Sequence, residues 1–400
     1  MGVSYALGTR RWIGVYGVSR DGDKTSPAIL FTAFEQSGDT LAAPIIRELK
    51  RRDPGLGLYA CGGSQMEEAG AVLLDRTVDI AVMGLGALSR SLAFRRLVKR
   101  LKQWAGEHRL VAHVPVDSPA ANFPLARVMR RSGARIVHLV APQVWAWGRW
   151  RIGKLRRLTS VVMCVLPFEE QWFTQRRVPA KFIGHPSINR SIDLAELRQQ
   201  THGLPLGAPR LALFPGSREQ EVRANTRLLA DVYTELQGRH AGLRGVVVAA
   251  NPHLATIIRR KIGVFPVGLH MITGSADTVI TWCDLALAVS GTITLDITLQ
   301  RKPMIGLYKT GWISWLLAKL VLRTPYKLLP NIIAEREVVP EFVPHAGGPM
   351  PIVDQATRFL LDSKNAAVQS EELHRVCLRF ADHNPAREAA QLIMSVVGEH

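Results

Sequence analysis

The feature that most restricts the fold of this 400-residue chain is a repeated alternation. Short, unbroken apolar runs end at Gly, Pro, Ser or Asp, and each is followed by a stretch with helical spacing of its apolar residues. The runs are AILFTAF (28–34), LYACGG (58–63), LVAHVPVDSP (110–119), RIVHLVAP (135–142), VVMCVLP (161–167) and KFIGHP (181–186). A strand that is apolar at every position is buried on both faces, and the intervening helices supply the cover. After a polar, proline-bearing passage over 189–209 the alternation restarts with RLALFPGS, GVVVAAN, HMITG, LALAVSG and KPMIGLY. The expected fold is therefore α/β: two doubly wound, Rossmann-like halves facing across a cleft. The expected divisions are an extension over 1–26, a first half over 27–186 and a second over 187–365. A helical tail over 366–400 is expected to cross back onto the first half.

Composition narrows the partners. With 47% hydrophobic and 21% charged residues the chain is an ordered globular protein. A net charge of +18 calls for a negatively charged partner, whether nucleic acid, a phosphorylated metabolite or an anionic membrane face. Nucleic acid is not favoured, because zinc-finger spacing, RNP aromatics and a basic zipper are all missing. Basic residues gather beside apolar ones instead. Over 89–104 a helical projection sets Phe94, Leu97, Val98, Leu101 and Trp104 opposite Arg95, Arg96, Lys99 and Lys102. That pattern suits a helix lying on anionic lipid and equally a surface helix packed on a core. The stretch WISWLLAKLVL (312–322) is shorter than the roughly 20 apolar residues a span requires, so it reads as a buried or membrane-dipping helix. The chain is expected to be soluble or peripheral. Trp145, Trp147 and Trp150, interleaved with Arg149, Arg151 and Lys154, read as core plus a lipid-facing rim. Residues 1–26 lack the features of a signal peptide. Cys61, Cys164, Cys283 and Cys377 have neither metal-ligand nor disulfide-framework spacing, which fits a reducing cytosol.

Ligands of doubly wound sheets sit beyond the carboxyl ends of the strands, so the punctuation residues become the candidate site. LALF breaks at Gly216 and Ser217 before a helix starting near Glu219, with Arg218 at its head: amides, a helix N-terminus and a guanidinium suited to a phosphate. Ser290, Gly291 and Thr292 form a similar turn, and Asp296 one turn later is placed to accept hydrogen bonds from ribose. Each turn alone is equally an N-cap; jointly, in one half, they suggest a nucleoside diphosphate. In the first half Glu35, Ser37, Gly38 and Asp39 form the first strand-to-helix turn, facing the cleft or capping the helix.

The chain resembles the lipid-A-disaccharide synthases, glycosyltransferases of the GT-B fold. The resemblance rests on motifs in order: FEQSGD (34–39), AVMG (81–84), VDSP with Asn122 (116–122), APQVWAW (141–147), LPFE (166–169), FIGHP (182–186), FPGSR with EV (214–222), SGTITLD (290–296) and LPNIIAEREVVPEF (329–342). It implies transfer of diacylglucosamine from UDP to the 6-hydroxyl of diacylglucosamine 1-phosphate (lipid X), with inversion and release of UDP. It makes Asp117 the general base in an acceptor-binding first half, where the residue otherwise reads as a turn aspartate before Pro119. It gives Arg218 to the leaving diphosphate, where the bland reading is a solvated helix residue. Asn331, Arg336 and Glu337 complete the nucleotide pocket under the resemblance, and Asn122 joins the acceptor side. No cofactor or metal is implied, the UDP-sugar being a substrate, and Asp21-Gly22-Asp23 lacks supporting ligands. The implied location is the cytoplasmic face of the inner membrane, as a peripheral protein, and the resemblance is compatible with a homodimer. His185 stands at the hinge as a sugar contact or a turn residue. The chain departs from the family pattern at Phe34, Ala87, Ala120 and Glu335. A second GT-B enzyme, such as a wall-synthesis transferase or an epimerase, and a basic surface-binding protein are the alternative readings.

Overall fold

A computed structural model describes residues 26–78, 87–146, 148–309 and 324–398. The extension before residue 26, AVMG, Trp147 and the stretch 312–322 lie outside the described residues, as do the side chains of Ala87 and Arg149.

The first apolar series builds a seven-stranded parallel sheet. Its strands are β1 (Ala28–Thr32), β2 (Gly57–Cys61), β3 (Val72–Asp75), β4 (Leu110–Pro115), β5 (Arg135–Leu139), β6 (Val161–Cys164) and β7 (Ala180–Phe182), in the order β3-β2-β1-β4-β5-β6-β7. The second series builds a six-stranded parallel sheet from β8 (Arg210–Phe214), β9 (Arg244–Ala249), β10 (Leu269–Thr273), β11 (Leu285–Val289), β12 (Met304–Lys309) and β13 (Glu341–His345), ordered β10-β9-β8-β11-β12-β13. Central strands β1, β4 and β11 are buried at every residue, as helices on both faces require.

The helix Ala87–Glu107 buries Leu97, Leu101 and Ala105 on the first sheet, while Arg95, Arg96, Lys99 and Lys102 point to solvent. Its apolar stripe is thus a core-packing stripe in this fold. Phe34 joins the same core, its ring 6.0 Å from that of Phe94, so its side chain is packed against this helix.

The tail divides differently from the expected boundary at 366. The helix Ser363–Leu378 packs in the second half, burying Leu373 and Val376 against the helix Ile293–Leu299 and its neighbours. The helix Pro385–Gly398 packs on the first half, with Ala389, Ala390 and Ile393 against the helix Gln36–Arg52. Between them Phe380, fully buried, packs on Phe182 at 5.8 Å and accepts at its carbonyl a 2.6 Å hydrogen bond from the Asn189 side chain. The crossing is tied to the hinge that links the halves.

Candidate active site

Each sheet reverses its winding once: between β1 and β4 in the first and between β8 and β11 in the second. At such a point the loops leaving neighbouring strands turn to opposite faces and leave a crevice beyond their carboxyl ends. The residues that open these crevices are Glu35 after β1, Asp117 after β4, Arg218 after β8 and Ser290 after β11. The two crevices face each other, because Arg218 Nη2 lies 3.3 Å from Glu35 Oε2.

Asp117 is half-buried at the end of β4, with φ of 44°, followed by Ser118 at 41°. Burial raises its carboxyl above the ordinary carboxylate value; the Ser118 amide pulls it down, Glu35 pushes it up and Arg218 pulls it down. Glu35, Asp117 and Arg218 therefore form one electrostatic group contributed by both halves. An acidic group with a raised proton affinity beside a guanidinium can accept a proton while the guanidinium faces an anion.

The phosphate turns differ from one another. Gly216 has φ of 117°, and a Cβ there would sit 2.6 Å from Glu221 Cβ, so only glycine fits. The amides of Ser217 and Arg218, expected to be open to a phosphate, are instead taken by Glu221 Oε2 at 3.0 and 3.2 Å. The carboxylate three residues into the helix Glu219–Arg239 folds back on its start and caps it. After β11 the reverse holds. Gly291 and Thr292 are exposed, and the amides of 291, 292 and 293 have no hydrogen-bond partner among the described residues. The Ser290 hydroxyl is less free, donating to the Lys327 carbonyl at 3.2 Å.

Several expected contacts are claimed by the fold. Asp39 is buried and accepts the amides of Gly63, Gln65 and Met66 at 2.9–3.1 Å, capping a neighbouring helix and not the cleft. Gly38 is buried where a Cβ would meet that of Ala33 at 3.0 Å, so it serves helix–strand packing, and Ser37 is exposed. Asn122 is fully buried and bonds only within the protein. Asp296 faces the hinge: Arg190, which grips Asp277 bidentately at 2.6 and 2.7 Å, also reaches Asp296 at 3.2 Å. Burial pushes the Asp296 carboxyl up to about 6 against the pull of Arg190. Asn331 is a buried clasp, accepting the amides of Val338 and Val339 at 2.8 Å and donating to Val339 and Glu341. Arg336 pairs with Glu372, and with Glu337 it lines a cavity of about 480 Å³ beside Gln369, whose side chain accepts the amide of Met304 at the start of β12. That is the amino edge of the sheet, opposite the cleft. His185 caps the helix Pro186–Asn189, its Nδ1 accepting the Ser187 amide at 3.1 Å, so it acts as a turn residue here.

A profile of the lipid-A-disaccharide synthetase family matches residues 29–394. The chain belongs to this family. Relatives include the lipid-A-disaccharide synthases of Granulibacter bethesdensis, 32% identical over 393 residues and covering 94% of this chain and all of that one, and of Myxococcus xanthus, 30% identical with 93% and 98% covered. The protein is a UDP-sugar-dependent glycosyltransferase of lipid A biosynthesis. Its fold is GT-B: Acinetobacter baumannii MurG superposes with a TM-score of 0.53 at 11% identity over 94% of this chain and all of that one. Anabaena Alr3699/HepE, solved with UDP and glucose, superposes at 0.55 and 13% identity, with 93% and 100% covered.

Two of the motifs that carry the resemblance hold each other. Trp145 of APQVWAW donates its indole N–H to Glu169 of LPFE at 2.9 Å, and the other Glu169 oxygen accepts the amides of Val165 and Leu166. Trp145 is core, whereas Trp150 is 78% exposed. Sequence reasoning missed Glu221 and Glu169 as structural partners. The Arg-x-x-Glu spacing at 218–221 carried the signal of a carboxylate at N3.

Proposed function

We propose that this synthetase transfers a 2,3-diacylglucosamine unit from its UDP derivative to the 6-hydroxyl of 2,3-diacylglucosamine 1-phosphate, inverting the anomeric centre. Asp117 takes the proton of the attacking hydroxyl, the new C–O bond forms at the anomeric carbon, and the bond to the diphosphate breaks as UDP leaves. Arg218 and the amides at 291–293 hold the leaving diphosphate, whose growing negative charge is where fixed donors are most effective. The single observation that carries the reading is the approach of Glu35, Asp117 and Arg218 from two switch points across one cleft. The first half, which brings the base, takes the acceptor; the second takes the nucleotide.

Both substrates are acylated, so the enzyme works at the cytoplasmic surface of the inner membrane, aided by its charge of +18. Among the described residues no helix is long and apolar enough to cross a membrane. Incubation of purified protein with the two acylated substrates in mixed micelles tests the reading: it predicts the disaccharide 1-phosphate and stoichiometric UDP. Release of UDP from unacylated UDP-N-acetylglucosamine with no disaccharide from the acylated pair would overturn it. Diphosphate stabilisation by protein groups also predicts that a chelator leaves turnover unchanged.

A further inference from the structure

Behind Asp117 a row of polar side chains runs through the first sheet with no solvent contact. Thr32 at the end of β1, His113 in β4 and Asn122 in the helix Pro119–Arg131 are each fully buried. His113 Nε2 lies 2.9 Å from Thr32 Oγ1, and Thr32 Oγ1 donates to Asn122 Oδ1 at 2.7 Å. The Asn122 amide then donates to the carbonyls of Val116 at 2.9 Å and Asp117 at 2.7 Å.

The direction of the chain follows from its members. The Thr32 hydroxyl has one proton, given to Asn122, so it accepts from His113 Nε2–H. That places the lone pair, and not a proton, on His113 Nδ1, which has no hydrogen-bond partner among the described residues. The opposite tautomer would bury an unpaired N–H and break the row, which costs more. Burial, with His138 nearby, pushes the His113 imidazole down to about 3, so the ring is neutral and the direction holds through the working range. The row ends where the backbone is strained. Asp117 and Ser118 occupy left-handed conformations that are unfavourable for any residue but glycine. Such a turn persists only where its surroundings over-determine it. For Asp117 they do, its carbonyl held by Asn122 and its amide by Leu139 O at 2.9 Å.

We infer that His113, Thr32 and Asn122 are positioning residues for the transfer: a directed hydrogen-bond row that pins the strained backbone of Asp117 and so aims its carboxylate into the cleft. The inference rests on the proposed role of Asp117 as base.

The test compares Thr32→Val, isosteric without the hydroxyl, Thr32→Ser, which restores it, and Leu125→Ala as a control that removes buried apolar volume from the same helix. Wild type is assayed first: if it forms no disaccharide, the functional reading fails and this inference with it. If it is active, Thr32→Val is expected to lower kcat about 10–100-fold, the scale of a displaced catalytic group. The donor KM and UDP affinity should stay within about twofold. The acid limb of the kcat profile should move, because Glu35 and Arg218 would act on a displaced Asp117, and Thr32→Ser should recover most of the rate. His113→Phe, which breaks only the head of the row, should fall between wild type and Thr32→Val, and it substitutes if Thr32→Val does not fold. If the broken-row variants lose melting temperature like Leu125→Ala while keeping wild-type kcat and acid limb, the row is structural and the inference is overturned.

Discussion

Glu35 and Arg218 are 183 residues apart in sequence, and their side chains meet at 3.3 Å across the cleft. Both are well exposed, at 47% and 68%, and an exposed pair of this kind contributes about 0–1 kcal/mol. It is therefore too weak to hold the halves together. Its significance is geometric: it places the guanidinium proposed to face the diphosphate beside a carboxylate of the first half, and both act on Asp117.

Asp117 gives the first prediction. Its carboxyl lies above the usual carboxylate range, and a base works deprotonated, so kcat/KM should fall as pH drops through that raised value. Glu35 pushes the Asp117 value up and Arg218 pulls it down, so Glu35→Gln should move the acid limb to lower pH and Arg218→Gln to higher pH. A pH profile of the three proteins checks the order; identical limbs would separate Asp117 from the rate.

Glu169 predicts a pH dependence of stability. Burial pushes it up to about 7 from an ordinary 4.5, despite three N–H donors. An acid with a raised value binds more protons folded than unfolded, so its contribution is complete below about 4.5 and is lost as pH rises through 7. Urea denaturation of Glu169→Gln between those limits should show a flatter decline than wild type.

Glu335 stands in the left-handed region, φ 59°, at the end of the helix Leu329–Ala334, a position that favours glycine. The conformation costs about 1–2 kcal/mol, of which glycine's extra unfolded-state freedom cancels about 0.5–1. Glu335→Gly should stabilise the protein by about 0.5–1 kcal/mol in thermal unfolding; the exposed contact from Arg379 at 3.8 Å is too weak to reverse the sign.

Glu221 holds the start of the helix Glu219–Arg239 through the amides of Ser217 and Arg218. Glu221→Ala should cost about 1 kcal/mol, the usual loss of a cap, and calorimetric unfolding would detect it as a lowered midpoint.

The sequence discloses the parts of this architecture that burial writes into consecutive residues. The central strands announce themselves because both faces are covered. The strands left unread are β3 and β13, and both stand at sheet edges: β3 is only partly buried, and β13 carries Pro344 and a polar face, so neither forms an apolar run. For the site, strand ends located Glu35, Asp117, Arg218 and the 290 turn, because position in a doubly wound sheet follows from topology. What stayed hidden was competition inside the protein. Asp39, Asn122, Asn331 and Asp296 have the chemistry of ligand contacts, yet each is engaged within the protein, Asp39 and Asp296 by groups far away in sequence and Asn122 and Asn331 by nearby backbone. A local pattern lists donors and acceptors without saying which are already paired.

The most direct measurement is calorimetric UDP binding combined with turnover for Asp117→Asn and Arg218→Gln. Division of labour across the cleft predicts that Asp117→Asn binds UDP with wild-type affinity but turns over about 10²–10⁴-fold more slowly, whereas Arg218→Gln weakens UDP binding about 10–100-fold, the worth of a charge-assisted contact. Unchanged turnover in Asp117→Asn, or unchanged UDP affinity in Arg218→Gln, would contradict it.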